Sequence, residues 1–191
     1  MVIRILTDTE INQTVFDEMM DLENRIWPEG HFAHLRPEYL KGLFSKSFEG
    51  VFVAWDTEKD VLAGHFYVII TDMNNINDYF ETKNFTVLQN KGFKKGDNIM
   101  YLYTAILNEE YRGSGCMKQL GIAFCKWLDE KEKQGCYVSD AYAEAVSKDG
   151  ARVCSSGFGM CPMDDVDVKG IGHYRSPDGL TVYRNRIRKY Y

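Results

Sequence analysis

The chain has 191 residues, 45% hydrophobic and 27% charged, with a net charge of −5. That length and balance fit one globular domain with a substantial core, residues 1–191. The acidic charge argues against bulk binding to nucleic acid or to anionic membranes. No apolar run is long enough to span a bilayer, and VIRILTDTE at the start does not have the form of a signal peptide. Five cysteines without close pairing fit a reducing compartment, so the expected location is the cytoplasm.

VIRIL (2–6) reads as a short strand, and Thr7-Asp8-Thr9-Glu10 has the capping-box pattern that announces a helix. Val15, Met19, Leu22 and Ile26 then recur at helical spacing until Pro28-Glu29-Gly30. Pro37 opens a second helix with Leu40, Leu43 and Phe44 inward. Trp27, His31, Phe32 and His34 lie between the two; the histidines lack further ligand-spaced partners, so no metal site is expected. VFVAW (51–55) and VLAGHFYVII (61–70) flank a polar turn and predict an antiparallel hairpin. His65 inside the second strand is either a hydrogen-bonded sheet histidine or an acceptor contact. Residues 71–98 are long for a connection and read as an insertion with a short element of its own, either a lid or a surface decoration.

The next stretch, 99–128, changes period. IMYLYTAIL is apolar on both faces, as a central strand requires. Arg112-Gly113-Ser114-Gly115 follows, and then Met117, Leu120, Phe124 and Trp127/Leu128 share one helical face. In a strand, glycine turn, helix arrangement, glycines let backbone approach a ligand. The first helical amides have no internal partners, so the turn suits a pyrophosphate, and Arg112 adds a fixed cation. It lacks the Lys-Ser/Thr of a Walker loop and the spacing of a dinucleotide fingerprint. CYVSDAYAEAV (136–146) predicts another strand, 148–156 a short helix, and CPMDDVDVKGIGHYRSPDGLTVYRNRI one or two strands around the Ser176–Gly179 turn. Asp164, Asp165 and Asp167 form an acidic turn without the glycine and distal glutamate of a calcium loop.

LNEEYRGSGCMKQL resembles motif A of the GNAT superfamily of N-acyltransferases, Arg/Gln-x-x-Gly-x-Gly/Ala. Arg112 and Gly115 match; Met117 stands where glycine or alanine is usual. SKDGARVCSSGFGM resembles motif B, the short helix ending in Gly157-Phe158. The resemblance spans about residues 50–187 in element order. It implies a layered α+β fold: a mixed, mostly antiparallel central sheet flanked by helices, with 71–98 inserted before the central strand. It implies acetyl-CoA or another acyl-CoA as co-substrate, no metal, and a small-molecule or peptide amine as acceptor. A homodimer is compatible with it. Ile106, Leu107, Tyr111, Arg112, Gly113, Ser114, Gly115, Cys116 and Met117 are then the cofactor-binding candidates. The pantetheine arm would lie where the strand before the loop splays from its neighbour.

Direct transfer of an acetyl group to a primary amine needs a proton acceptor and a polarised carbonyl. A backbone amide near Ile106–Asn108 could polarise it. Residues 99–107 hold no acid, so Glu109, Asp140 and Glu144 are the candidate bases, with a water chain as the alternative. Many relatives carry a tyrosine acid four residues before Gly-Phe; Val153 stands there, leaving Cys154, Ser155, Tyr142, Tyr183 or water. Cys116, near a helix start where thiol pKa values tend to fall, is weighed as an acyl carrier, but no Cys/His/Asp arrangement accompanies it. The alternative to an enzyme is a non-catalytic acyl-CoA-binding sensor of the same fold.

Overall fold

The computed structural model describes residues 2–27, 29, 37–45 and 47–191. His31, Phe32 and His34 lie outside the described residues. Seven strands form one mixed sheet in the order β1-β2-β3-β4-β5-β7-β6. The strands are β1 (Ile3–Thr7), β2 (Val51–Asp56), β3 (Val61–Thr71), β4 (Gly96–Leu107), β5 (Cys136–Ala145), β6 (Cys161–Pro162) and β7 (Gly172–Ser176). The described α-helices are α1 (Gln13–Ile26), α2 (Pro37–Leu43), α3 (Met73–Thr82), α4 (Cys116–Lys133), α5 (Lys148–Arg152) and α6 (Thr181–Arg188). The chain divides into two compact units, residues 1–67 with 104–124, and residues 68–103 with 125–191.

In the first unit β1, β2 and the start of β3 pair antiparallel, as the hairpin pattern predicts. Alternation sends Phe66 to one face, where it meets Phe124 of α4 edge-on at 5.0 Å, with Phe52 at 6.0 Å. His65 and Tyr67 go to the other face and meet α1. His65 Nε2 lies 3.0 Å from Glu23 Oε1, and Tyr67 donates to the same oxygen at 3.0 Å. His65 is thus a hydrogen-bonded sheet histidine, and its fully buried ring gives the buried Glu23 side chain a partner. The capping box does not open the long helix. Glu10 accepts the Thr7 amide, but only one 3-10 turn, Asp8–Glu10, follows. Asp8 sits at φ +43° and Ile11 is extended, so α1 starts afresh, capped by Asn12 onto the Val15 amide.

In the second unit β4 pairs parallel with β5 from Gly96–Cys136 to Leu102–Ala143; β5 and β6 both pair antiparallel with β7. Residues 71–98 are not a surface decoration. Asp72 caps α3 onto the Asn75 amide, and α3 buries Ile76 and Tyr79 completely. Removing the middle of this segment would therefore cost folding. The motif-B helix is α5, capped by Ser147 and continued as a π-helical turn, Val153–Gly157. After the Ser176–Gly179 turn the chain forms α6 rather than a strand. Tyr183, Arg184 and Ile187 share its buried face. Arg184 reaches Asp129 (2.8 Å) and Glu132 on α4, an ion pair that helical spacing, not strand alternation, brings into line.

Candidate active site

The turn between β4 and α4 belongs to the first unit. A 3-10 turn, Glu109–Tyr111, ends the strand: Tyr111 N–H donates to Asn108 O at 2.9 Å and Arg112 N–H to Glu109 O at 3.1 Å. Tyr111 anchors it from below, donating its hydroxyl to the buried Asp56 at 2.9 Å. Burial acts to raise the Asp56 pKa, but hydrogen bonds from Tyr111 and from the amides of Glu58 and Lys59 outweigh it and hold the carboxylate ionised.

Arg112, Gly113, Ser114 and Gly115 are all exposed on this anchored base. Gly113 and Gly115 have φ of +75° and +85°, the left-handed region that side chains disfavour. An added Cβ at Gly115 would meet nothing within 4 Å, so what the position demands is backbone shape, not space within the protein. Ser114 Oγ donates to Tyr111 O at 2.6 Å and accepts the Cys116 amide at 3.3 Å. Among the described residues the amides of Gly113, Gly115 and Met117 donate to no protein acceptor. They stand at the start of the eighteen-residue α4, where a helix favours an anion. Cys116 departs from expectation. Its thiol is fully buried, and burial pushes it up to about 11 despite the helix start, so it is not a reactive thiolate.

At the strand exit Asn108 N–H donates to Ala63 O of β3 at 2.9 Å. Successive residues of a strand aim their amides at opposite edges. Leu107 N–H therefore points to the edge of β4 away from β3.

The acids separate clearly. Glu109 is exposed on the 3-10 turn. Asp140 is held by Arg175, with Nε 3.0 Å from both carboxylate oxygens, and accepts Tyr142 Oη at 3.1 Å. Glu144 lies in the second unit, its side chain only 12% exposed. Its Oε2 accepts the Tyr79 hydroxyl and stands 3.8 Å from His173 Nε2. Among the described residues its Oε1 has no hydrogen-bond partner. Tyr101, fully buried on β4, packs edge-on against Tyr79 at 5.6 Å. Burial raises both phenols far above the usual range, helped at Tyr101 by the Glu144 charge and at Tyr79 by Tyr101 and then by Glu144, so both stay protonated donors. Cys154 is buried and pushed by burial up to about 12, which makes it a poor proton donor.

Sequence reasoning names Glu144 but not its partners. Tyr79 comes from the insertion, and His173 lies in β7 directly across the ladder from Glu144. Asp165 belongs to the acidic turn, where it accepts from His173; Asp167 caps the amides of Lys169 and Ile171. No cluster of three or more metal-type ligands forms among the described residues.

Comparison with protein-family models and with curated proteins gives no match. Solved structures do match. A NatC complex bound to Gag peptide and CoA aligns at 14% identity over 92% of this chain and 96% of that one, with a TM-score of 0.59. A mosquito arylalkylamine N-acetyltransferase-like protein aligns at 13% over 92% and 98%, with a TM-score of 0.56. An acetyltransferase of the GNAT family from Staphylococcus aureus aligns at 14% over 91% and 98%, with a TM-score of 0.53. At these identities the likeness is one of fold, and the fold is that of the GNAT N-acetyltransferases.

Proposed function

We propose that this protein transfers an acyl group, acetyl in the first instance, from acyl-CoA to a primary amine by direct attack. The observation that carries the reading is the exposed turn with two left-handed glycines and three amides without a partner among the described residues, at the start of α4, in a chain with the GNAT fold. Those amides and Arg112 would hold the diphosphate of coenzyme A. Leu107 N–H would polarise the thioester carbonyl as negative charge develops on its oxygen.

The amine nitrogen attacks the carbonyl carbon, the C–S bond breaks, and coenzyme A leaves as thiolate. Glu144 takes the proton lost by nitrogen, through the Oε1 that no group among the described residues occupies. Asp140 is a weaker candidate because Arg175 already neutralises it. The thiolate takes its proton from water: a thiol of pKa about 8.5 needs no dedicated acid, and Cys154 titrates well above it. All five cysteines are free, which suits the cytoplasm. No helix among the described residues is long and apolar enough to cross a membrane.

A second reading, an acyl-CoA sensor without catalysis, is favoured by Val153, which occupies the motif-B position where the resembling family often has tyrosine. Incubation of the protein with acetyl-CoA and a panel of arylalkylamines, polyamines and peptides with free N-termini tests the choice. The enzyme reading expects release of free thiol with at least one acceptor class. Thermal stabilisation by acetyl-CoA with no thiol release from any amine would leave the sensor.

A further inference from the structure

We propose that His173, Asp165 and Lys83 form a proton exit from Glu144 to solvent, with the Tyr79 hydroxyl as its fixed gatepost; this rests on Glu144 taking the amine proton. A general base that is only 12% exposed cannot return its proton to bulk water freely, and the next turnover needs it ionised. Among the described residues, two polar side chains face it directly. Tyr79 of α3 donates to Oε2, and Tyr101 of β4 backs Tyr79. His173 of β7 presents Nε2 to that same oxygen at 3.8 Å, so a small shift of either side chain is needed before the proton passes.

The His173 ring is 2% exposed. Phe80 covers it with ring centroids 4.1 Å apart. Its Nδ1 bonds to Asp165, whose side chain is 46% exposed. Asp165 also accepts the His173 backbone amide at 3.2 Å, so one carboxylate fixes both the ring and its strand. Burial works to raise the Asp165 pKa, but its hydrogen bonds with His173 win and keep it ionised. Lys83, at the end of α3 and 53% exposed, lies 3.3 Å from Nε2 and 3.4 Å from Nδ1. The path therefore runs from a nearly dry carboxylate, through a dry imidazole, to a wet one.

The protons balance. Glu144 takes one from the amine and passes it to His173 Nε2. The Nδ1 proton leaves to Asp165 and from there to water. Lys83 then gives a proton to Nδ1 and takes the one on Nε2, which restores the starting tautomer. Tyr79 and Tyr101 stay protonated throughout, so only the imidazole can carry the proton onward.

His173 is a positioning and relay residue, and its test uses readouts that packing alone does not move. His173→Gln and Asp165→Asn are compared with wild type in kcat, KM, melting temperature and dependence on imidazole buffer. The path expects kcat of His173→Gln to fall by about tenfold with the amine KM within about twofold, and to recover as imidazole is added. In parallel, the His173 ring nitrogens are titrated by NMR in wild type and in Glu144→Gln. Coupling of the two groups expects the His173 midpoint to move by at least about half a pH unit. A buffer-independent kcat near wild type in His173→Gln, or an unmoved midpoint, would overturn the path. If wild type acetylates no amine, the acyltransferase reading fails. The NMR titration then decides separately whether Glu144 and His173 are coupled: a moved midpoint keeps that coupling, and an unmoved one removes the path on its own account.

Discussion

Replacing Gly64 with alanine should destabilise the protein by about 3 kcal/mol or more, near the upper end for a single substitution. A Cβ built there would lie 2.5 Å from Ile106 O, 2.5 Å from Leu107 Cδ2 and 2.9 Å from Leu107 Cα. Two of those three atoms are backbone, and the strand they belong to cannot step aside. Asn108 N–H holds it to Ala63 O, one residue from the clash on each strand. The methyl group must push β3 and the end of β4 apart or bend the strand exit. The same displacement moves the Leu107 amide. Gly64→Ala should therefore also lose coenzyme A affinity when measured below its melting temperature. Urea unfolding at an unchanged m-value reads the first effect. A loss under about 1 kcal/mol would show that the strand exit is free to move and that Leu107 is not held in place.

Glu144→Gln should lower kcat by about a hundredfold or more while coenzyme A affinity stays within about twofold. The amide keeps the shape and still accepts the Tyr79 hydroxyl, but it cannot take a proton. Asp140→Asn should behave differently. It strips Arg175 of its bidentate partner, so its effect should appear in stability rather than in kcat. Paired kcat–pH profiles and melting curves on the two variants separate the roles. Near-wild-type turnover in Glu144→Gln would move the base to Glu109 or to water.

What could be read in the sequence follows the range of the interactions involved. The period change at 99–128 exposes the central strand, the glycine turn and α4, because each is written in residues three or four apart. The 3-10 turn at Asp8–Glu10 escapes such reading. Its capping pattern is present, but a positive φ at Asp8 ends the helix before it begins. The final helix escapes because its driving contact, Arg184 with Asp129 and Glu132, joins residues more than fifty positions apart. Glu144 can be named as a strand carboxylate. Its setting cannot, since Tyr79 is 65 residues away and comes from a segment with no pattern of its own. Cys116 shows the limit of position-based chemistry: the helix start favours thiolate, yet complete burial outweighs it.

The central claim is that the turn at Arg112–Gly115 holds coenzyme A through its backbone. Calorimetric titration of coenzyme A into wild type and Gly115→Val, with a melting temperature for each, tests it most directly. Wild type should bind with a Kd below about 1 mM, which is already only about −4 kcal/mol. Gly115→Val should bind at least about tenfold more weakly, a loss of about 1.4 kcal/mol, and melt close to wild type. Valine cannot hold φ at +85°, but nothing lies within 4 Å of its Cβ, so this exposed loop can change shape without unfolding the core. The amides then lose their aim at the diphosphate while the fold persists. Unaltered affinity in Gly115→Val, or no saturable binding to wild type, would contradict the account.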